Sequence, residues 1–207
     1  MGEALFKDPS GKKLKDSYEN PINLQLIHIN EKMNPYYHSM GMTPNHLTTL
    51  SMMCTFIGLW MYYKAKPKTI WIILGSLLYF IGYYFDCADG NYARTYQLTS
   101  KFGDIFDHIS DYIKGILTVY VIYKVSPKTT IKPLVITFAI WSIILVINFG
   151  CQERLYSKEE SPMLNFTKQF CNFGPPTEVM QVTRFFGDGT MQFTIAVLLI
   201  WLKWDIK

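Results

Sequence analysis

Long apolar runs alternate with short polar breaks along this chain, and that pattern predicts an all-α, polytopic transmembrane helical bundle. The runs are Leu47 to Ala65, Thr69 to Phe85, Gly115 to Tyr123, Leu134 to Cys151 and Thr190 to Leu202. A span needs about 20 mostly apolar residues, which the first, second and fourth supply. The third qualifies if the polar stretch before it forms its entrance, and the last if it extends backwards through Phe185 and Phe186. A soluble helical protein, the competing reading of runs of about 10–14 residues, does not accommodate so many in 207 residues. Tyr62, Tyr63, Trp71, Tyr83, Tyr84, Trp201 and Trp204 sit near run ends, as interfacial aromatics do. Five spans are legible, and a sixth either hides between Val179 and Leu202 or is reduced.

The breaks divide the chain into three parts. Residues 1–19 read as a flexible basic tail, whose Lys7, Lys12, Lys13 and Lys15 suit anionic headgroups or plain solvent. No cleavable signal peptide is expected at Met1 to Lys15, so insertion rests on the first span. Residues 20–42 read as an interfacial amphipathic helix carrying Ile22, Leu24, Leu26, Ile27, Ile29 and Met33, broken by Gly41-Met42-Thr43-Pro44. Residues 43–207 form the membrane-embedded domain, with turns at Lys66-Pro67-Lys68 and Ser126-Pro127-Lys128. Gln152 to Gly189 is polar and gives little pattern. It contains a glycosylation sequon, Asn165-Phe166-Thr167.

Composition changes little in this picture. The apolar share of 49% is at the top of the globular range, and a net charge of +4 is too modest to indicate nucleic acid. Cys54, Cys87, Cys151 and Cys171 lack paired metal spacing and read as free thiols.

The chemistry lies between the second and third runs. Asp86 and Asp89 are three apart, and Asp107 and Asp111 are four apart, so on helices each pair shares a face. Carboxylates held together raise one another's pKa, and they persist when solvated, paired or bound to metal. One arginine, Arg94, cannot balance four acids. Hard oxygen ligands suit Mg²⁺, Mn²⁺ or Ca²⁺, and two metals about 3.5–4 Å apart can clamp a phosphoryl displacement. Gly90 and Gly103 permit close approach to the backbone, and Arg94 offers donors that match a phosphate.

At these residues the chain resembles the CDP-alcohol phosphotransferase family, whose signature is D-x2-D-G-x2-A-R-x8-G-x3-D-x3-D. Asp86, Asp89, Gly90, Ala93, Arg94, Gly103, Asp107 and Asp111 match every fixed position. Thr43-Pro44-Asn45-His46-Leu47-Thr48 is similar to the opening of the first span in many members. The resemblance implies attack by an acceptor hydroxyl on the phosphorus distal to cytidine, with release of CMP and dependence on Mg²⁺ or Mn²⁺ in a two-metal site. It makes Asp86, Asp89 and Asp107 metal ligands and Asp111 a further ligand or the base. Gly90, Arg94 and Gly103, with Asp89, line the CDP pocket, while Ala93 is a packing requirement. It also implies a homodimer.

His108 refines this reading, because Gly103-Asp-Ile-Phe-Asp-His-Ile-Ser-Asp111 is similar to a stretch of choline and ethanolamine phosphotransferases. His108 is placed to take the acceptor proton, or else bonds a neighbouring acid. Asp104, outside the signature, reads as a solvated acid. Asn45 approaches the nucleotide or caps the first span, with capping favoured. His28, His38 and His46 form no ligand spacing.

The leading reading is therefore transfer from CDP-choline or CDP-ethanolamine to diacylglycerol. Within the family the alternative is CDP-diacylglycerol with inositol, glycerol phosphate or serine, for which Arg154 and Arg184 could build a basic pocket. A cation channel or transporter would explain the acids but not the spacing of Gly90, Ala93, Arg94 and Gly103. A silent scaffold would not need all four acids. Span parity puts the acidic motif on the cytosolic side if the amino terminus is cytosolic, and a eukaryotic source would place the chain in the endoplasmic reticulum or a related endomembrane. Loop lysines at 64–68 and 124–132 lie on the opposite side.

Overall fold

A computed structural model describes residues 11–155 and 165–204. The elements are α1 (Pro21–Ser39), α2 (Pro44–Lys64), α3 (Ile70–Thr95), α4 (Lys101–Val125), α5 (Lys128–Leu155), α6 (Pro176–Thr183) and α7 (Asp188–Trp204), with short 3-10 turns at Asn165–Phe170 and Arg184–Phe186. Among the described residues, three segments are long and apolar enough to cross a membrane: α3, α5 and Pro176–Trp204, which joins α6 to α7. Helices α2 and α4 have 21 and 25 residues, about 30 Å or more of helix rise.

The core is the α2–α3 pair. Helix α3 buries Ile72, Gly75, Ser76, Tyr79, Gly82 and Tyr83, a stripe at three- and four-residue spacing. Helix α2 answers with Thr48, Ser51, Thr55, Gly58 and Tyr62. Lipid tails are as apolar as leucine, so helices associate in a membrane by close approach at small residues. A Cβ on Gly58 would stand 2.7 Å from Gly75 O and Tyr79 N, so the two backbones are in contact there.

The apolar run of α3 ends at Phe85, yet the helix continues ten residues further, because Asp86 and Asp89 extend its interior stripe. Pro44 and Pro127 precede or begin helices where proline costs least. Pro133, by contrast, lies inside α5. Thr43 caps α2 in a capping box with His46, so Asn45 is not the cap. At the far end Lys203 Nζ donates to the carbonyls of Tyr62, Tyr63 and Ala65 and closes the C-terminus of α2.

Helix α1 packs on α3 and α7. Its buried face carries Leu26, Ile27 and Tyr37 but also Asn30 and Asn34, so it is not a simple apolar stripe. Asn20 caps α1 and its Nδ2 donates to Arg184 O at 2.6 Å and Thr190 Oγ1 at 2.8 Å, tying the start of α1 to the start of α7.

Two expectations change at the amino-terminal edge. Residues 11–19 are not free of the bundle: Leu14 is buried with Cys151, Cys171 and Met180, and Lys13 Nζ meets the buried Glu153 at 2.5 Å. The first ten residues of the basic tail lie outside the described residues. Glu19 is buried, accepting from Asn20 N and Asn23 Nδ2, and its burial pushes the carboxyl pKa up. The second change concerns the thiols. Cys151 and Cys171 form a disulfide across 20 residues, while Cys54 and Cys87 are free. The turn Asn165–Phe170 gave no pattern because its place comes from docking against α5. Thr167 of the sequon is buried in the same unit.

Candidate active site

The acids meet where the C-terminal end of α3 and the N-terminal end of α4 lie beside the start of α2. One carboxylate oxygen from each of Asp86, Asp89 and Asp107 falls within 4.8 Å of the others. Two of these acids are oriented from α2, one turn apart: Thr48 Oγ1 donates to Asp89 Oδ2 at 2.5 Å, and Ser51 Oγ donates to Asp86 Oδ1 at 3.3 Å. Asp107 Oδ1 is buried and has no hydrogen-bond partner. Buried acceptors are normally satisfied, so an unpaired buried oxygen on an acid that meets two further carboxylates fits a divalent cation held by hard ligands.

Asp111 is not in that trio. Its Oδ1 pairs with Lys114 Nζ at 2.9 Å, and the same ammonium bonds Asp86 and Ser51. The sequence thus identified the acids but missed Thr48, Ser51 and Lys114 as their partners. The signal was present, since Thr48 and Ser51 share one face of α2 and Lys114 follows Asp111 by three residues on α4. Asp188 was also missed. It starts α7, accepts from Gln192 Nε2 at 3.3 Å, and lines the same cavity as Asp86 and Asp111.

The remaining signature residues are held by separate local contacts. Gly103 N is bonded by Ser100 Oγ, and a Cβ on Gly103 would come within 3.4 Å of Asn45 Oδ1, so Asn45 faces this glycine. Arg94 folds back over Gly90, where an added Cβ would stand 3.1 Å from its Nη1, and its Nε donates to Gly11 O at 2.8 Å. Ala93 is buried. His108 turns along its own helix, with Nδ1 2.7 Å from Asp104 O. If that nitrogen carries the proton, Nε2 is left as the basic one. Asp104 is not solvated: its side chain is 16% exposed and Oδ2 is buried without a partner.

Asp86, Asp111 and Asp188 open onto a cavity of about 900 Å³ that runs along α4 towards Ser126, between α4, α5 and α7, while Asp89 and Asp107 stand behind its wall. Asp86, Asp111, Lys114 and Asp188 stand at one end, and the rest of the wall is mostly apolar. Ile116, Val119 and Val135 line it and are 71, 67 and 62% exposed, so the cavity opens sideways between α4 and α5. Lys114 is the one lysine or arginine in its described wall. Arg154 is engaged with Lys168 O and Asn172, and Arg184 with Ser17 O, both away from the cavity.

Residues 41–173 match the family described as CDP-alcohol phosphatidyltransferase. Ethanolaminephosphotransferase 1 of Pongo abelii is 26% identical over 147 residues, covering 60% of this chain and 35% of the relative. Archaetidylinositol phosphate synthase of Pyrococcus horikoshii is 30% identical over 81 residues, covering 39% of this chain and 40% of the relative. The chain thus spans well under half the length of the curated relatives it matches. No solved structure matches.

Proposed function

The chain belongs to the CDP-alcohol phosphatidyltransferase family, and from that premise we propose that it transfers a phosphoalcohol group from CDP-choline or CDP-ethanolamine to diacylglycerol, releasing CMP. The observation that carries this reading is the acidic cluster, whose Asp86 lines a mostly apolar cavity with a lateral mouth. A diacylglycerol can enter such a mouth from the bilayer with its chains still in apolar surroundings and its hydroxyl towards Asp111.

The acceptor hydroxyl oxygen forms a new bond to the phosphorus bearing the alcohol, and the bond from that phosphorus to the bridging oxygen breaks, leaving CMP with the electron pair. The hydroxyl proton passes to Asp111, which lines the cavity, or to His108 through Nε2. Asp86, Asp89 and Asp107 would hold Mg²⁺ or Mn²⁺, which would supply charge neutralisation at the phosphoryl oxygens. Thr48 and Ser51 fix the rotamers of Asp89 and Asp86. Arg94 leaves Gly11 O to meet the diphosphate, with Gly90, Gly103 and Asn45 along the nucleotide. Helices α2 and α4 cross the bilayer with the three apolar segments, giving five spans, and the chain works as a homodimer.

The relative from Pyrococcus horikoshii motivates the second reading, CDP-diacylglycerol with a polyol acceptor such as inositol phosphate. A phosphorylated polyol needs cations in the pocket, and both candidate arginines are engaged elsewhere. CMP release from purified, detergent-solubilised protein with Mn²⁺ separates the two. We expect release with CDP-ethanolamine or CDP-choline plus diacylglycerol. Release only with CDP-diacylglycerol plus a polyol would replace this reading with the second.

We place the acidic face in the cytosol of an endoplasmic-reticulum-type membrane. Cys151 lies near the end of α5 that shares this face, and cytosolic thiols are kept reduced. Mass-tagged maleimide should therefore modify Cys151 and Cys171 in acid-quenched cells without added reductant, and leave both unmodified in air-oxidised membranes. A pair already blocked in quenched cells would put that face in an oxidising compartment.

A further inference from the structure

Lys114 stands among the acids, although the family signature does not call for it. Its side chain is 11% exposed. An ammonium within a membrane-embedded bundle is costly unless paired, and here its three donors are all taken. Nζ donates to Ser51 Oγ at 2.9 Å, pairs with Asp111 Oδ1 at 2.9 Å and bonds Asp86 Oδ1. A lysine with every donor engaged is held in one place rather than free to swing.

That place matters for metal. Two-metal centres put their ions about 3.5–4 Å apart, with carboxylates shared between them. An ion at Asp86, Asp89 and Asp107 leaves Asp111 as the one signature acid for a second ion, which would have to lie between Asp86 and Asp111. Lys114 Nζ already occupies that space, in ion-pair contact with an oxygen of each. A divalent ion brought beside a fixed ammonium is repelled, strongly so where water is scarce.

We propose that the Lys114 ammonium stands in for the second divalent ion, so that this chain takes one ion, at Asp86, Asp89 and Asp107. The proposal rests on the metal-dependent transferase reading and changes its metal count. Lys114 also lines the cavity, so its fixed charge faces the space into which the acceptor comes.

The test is to titrate Mn²⁺ into the purified full chain and count bound ions by electron paramagnetic resonance. The wild type should bind one Mn²⁺ per chain with no dipolar broadening between ions. Lys114→Met, which keeps the stem and removes the charge, should bind two and show that broadening. Asp107→Asn should lose the single ion. Two ions in the wild type, or one ion in both wild type and Lys114→Met, would overturn the proposal and leave the transferase reading intact. Folded wild type that binds CDP but no Mn²⁺ would overturn both. Lys114→Gln repeats the comparison if Lys114→Met does not fold, and a wild-type count of two is sufficient by itself to overturn the idea.

Discussion

Asp107→Asn is expected to lower the rate of CMP release by about 10³-fold or more, the scale on which transition-state charge stabilisation is lost when one of its supporting groups is removed. The substitution keeps the shape of the side chain and removes one negative charge from the trio that meets within 4.8 Å. A neutral amide oxygen is a poorer ligand for a hard cation, so metal affinity falls with activity. Stability should move the other way. Removing one of several carboxylates confined together relieves their mutual repulsion, so the metal-free variant should melt no lower than the metal-free wild type. Asp104→Asn is the matched control on the same helix. Asp104 lies beside His108 and outside the trio, and its loss should cost less than about tenfold, the mild end of the range for groups that only support a ligand shell. Equal losses from Asp107→Asn and Asp104→Asn, or a wild-type rate in Asp107→Asn, would remove the trio from the reaction.

The acids were legible because their spacing is helical and their neighbours are fixed by the same helix. Asp86 and Asp89 continue the stripe of Gly75, Gly82 and Tyr83, so a reader of α3 alone finds them on its interior face. The partners were less legible because each comes from a separate element. Thr48 and Ser51 look like ordinary small residues of an apolar helix until α3 is laid against them. Asp188 is 77 residues from Asp111 in sequence, and only the return of α7 beside α3 brings it to the cavity. The Cys151–Cys171 pair is of the same kind, since its two halves are brought together where the turn Asn165–Phe170 docks on α5. Local pattern thus located the acids, while long-range packing chose what orients them.

Gly58→Ala should destabilise the protein by about 1–3 kcal/mol, the usual range for overpacking a tight contact, and should lower activity although the substitution lies far from the acids. A methyl group on Gly58 would meet Gly75 O and Tyr79 N at 2.7 Å, and both are backbone atoms that cannot rotate aside. Helices α2 and α3 must then separate. The reciprocal contact fails in the same way, since a Cβ on Gly75 would lie 2.8 Å from Gly58 O and Tyr62 N. The separation carries to the site because Thr48 and Ser51 reach Asp89 and Asp86 from that same face of α2. A hydrogen bond of 2.5 Å does not survive a displacement of about 1 Å, so the acids lose their rotamer restraint and metal binding weakens. Gly115→Ala separates this effect from helix propensity. Nothing lies within 4 Å of an added Cβ at Gly115, and alanine favours a helix over glycine by roughly 1 kcal/mol, so that variant should be as stable as the wild type or more so. Thermal melts in detergent, followed by CMP release on the surviving protein, give both readouts. A Gly58→Ala protein that melts with the wild type would mean that α2 and α3 are not in contact at their glycines. One that melts early but keeps full metal affinity would mean that Asp86 and Asp89 are held without help from α2.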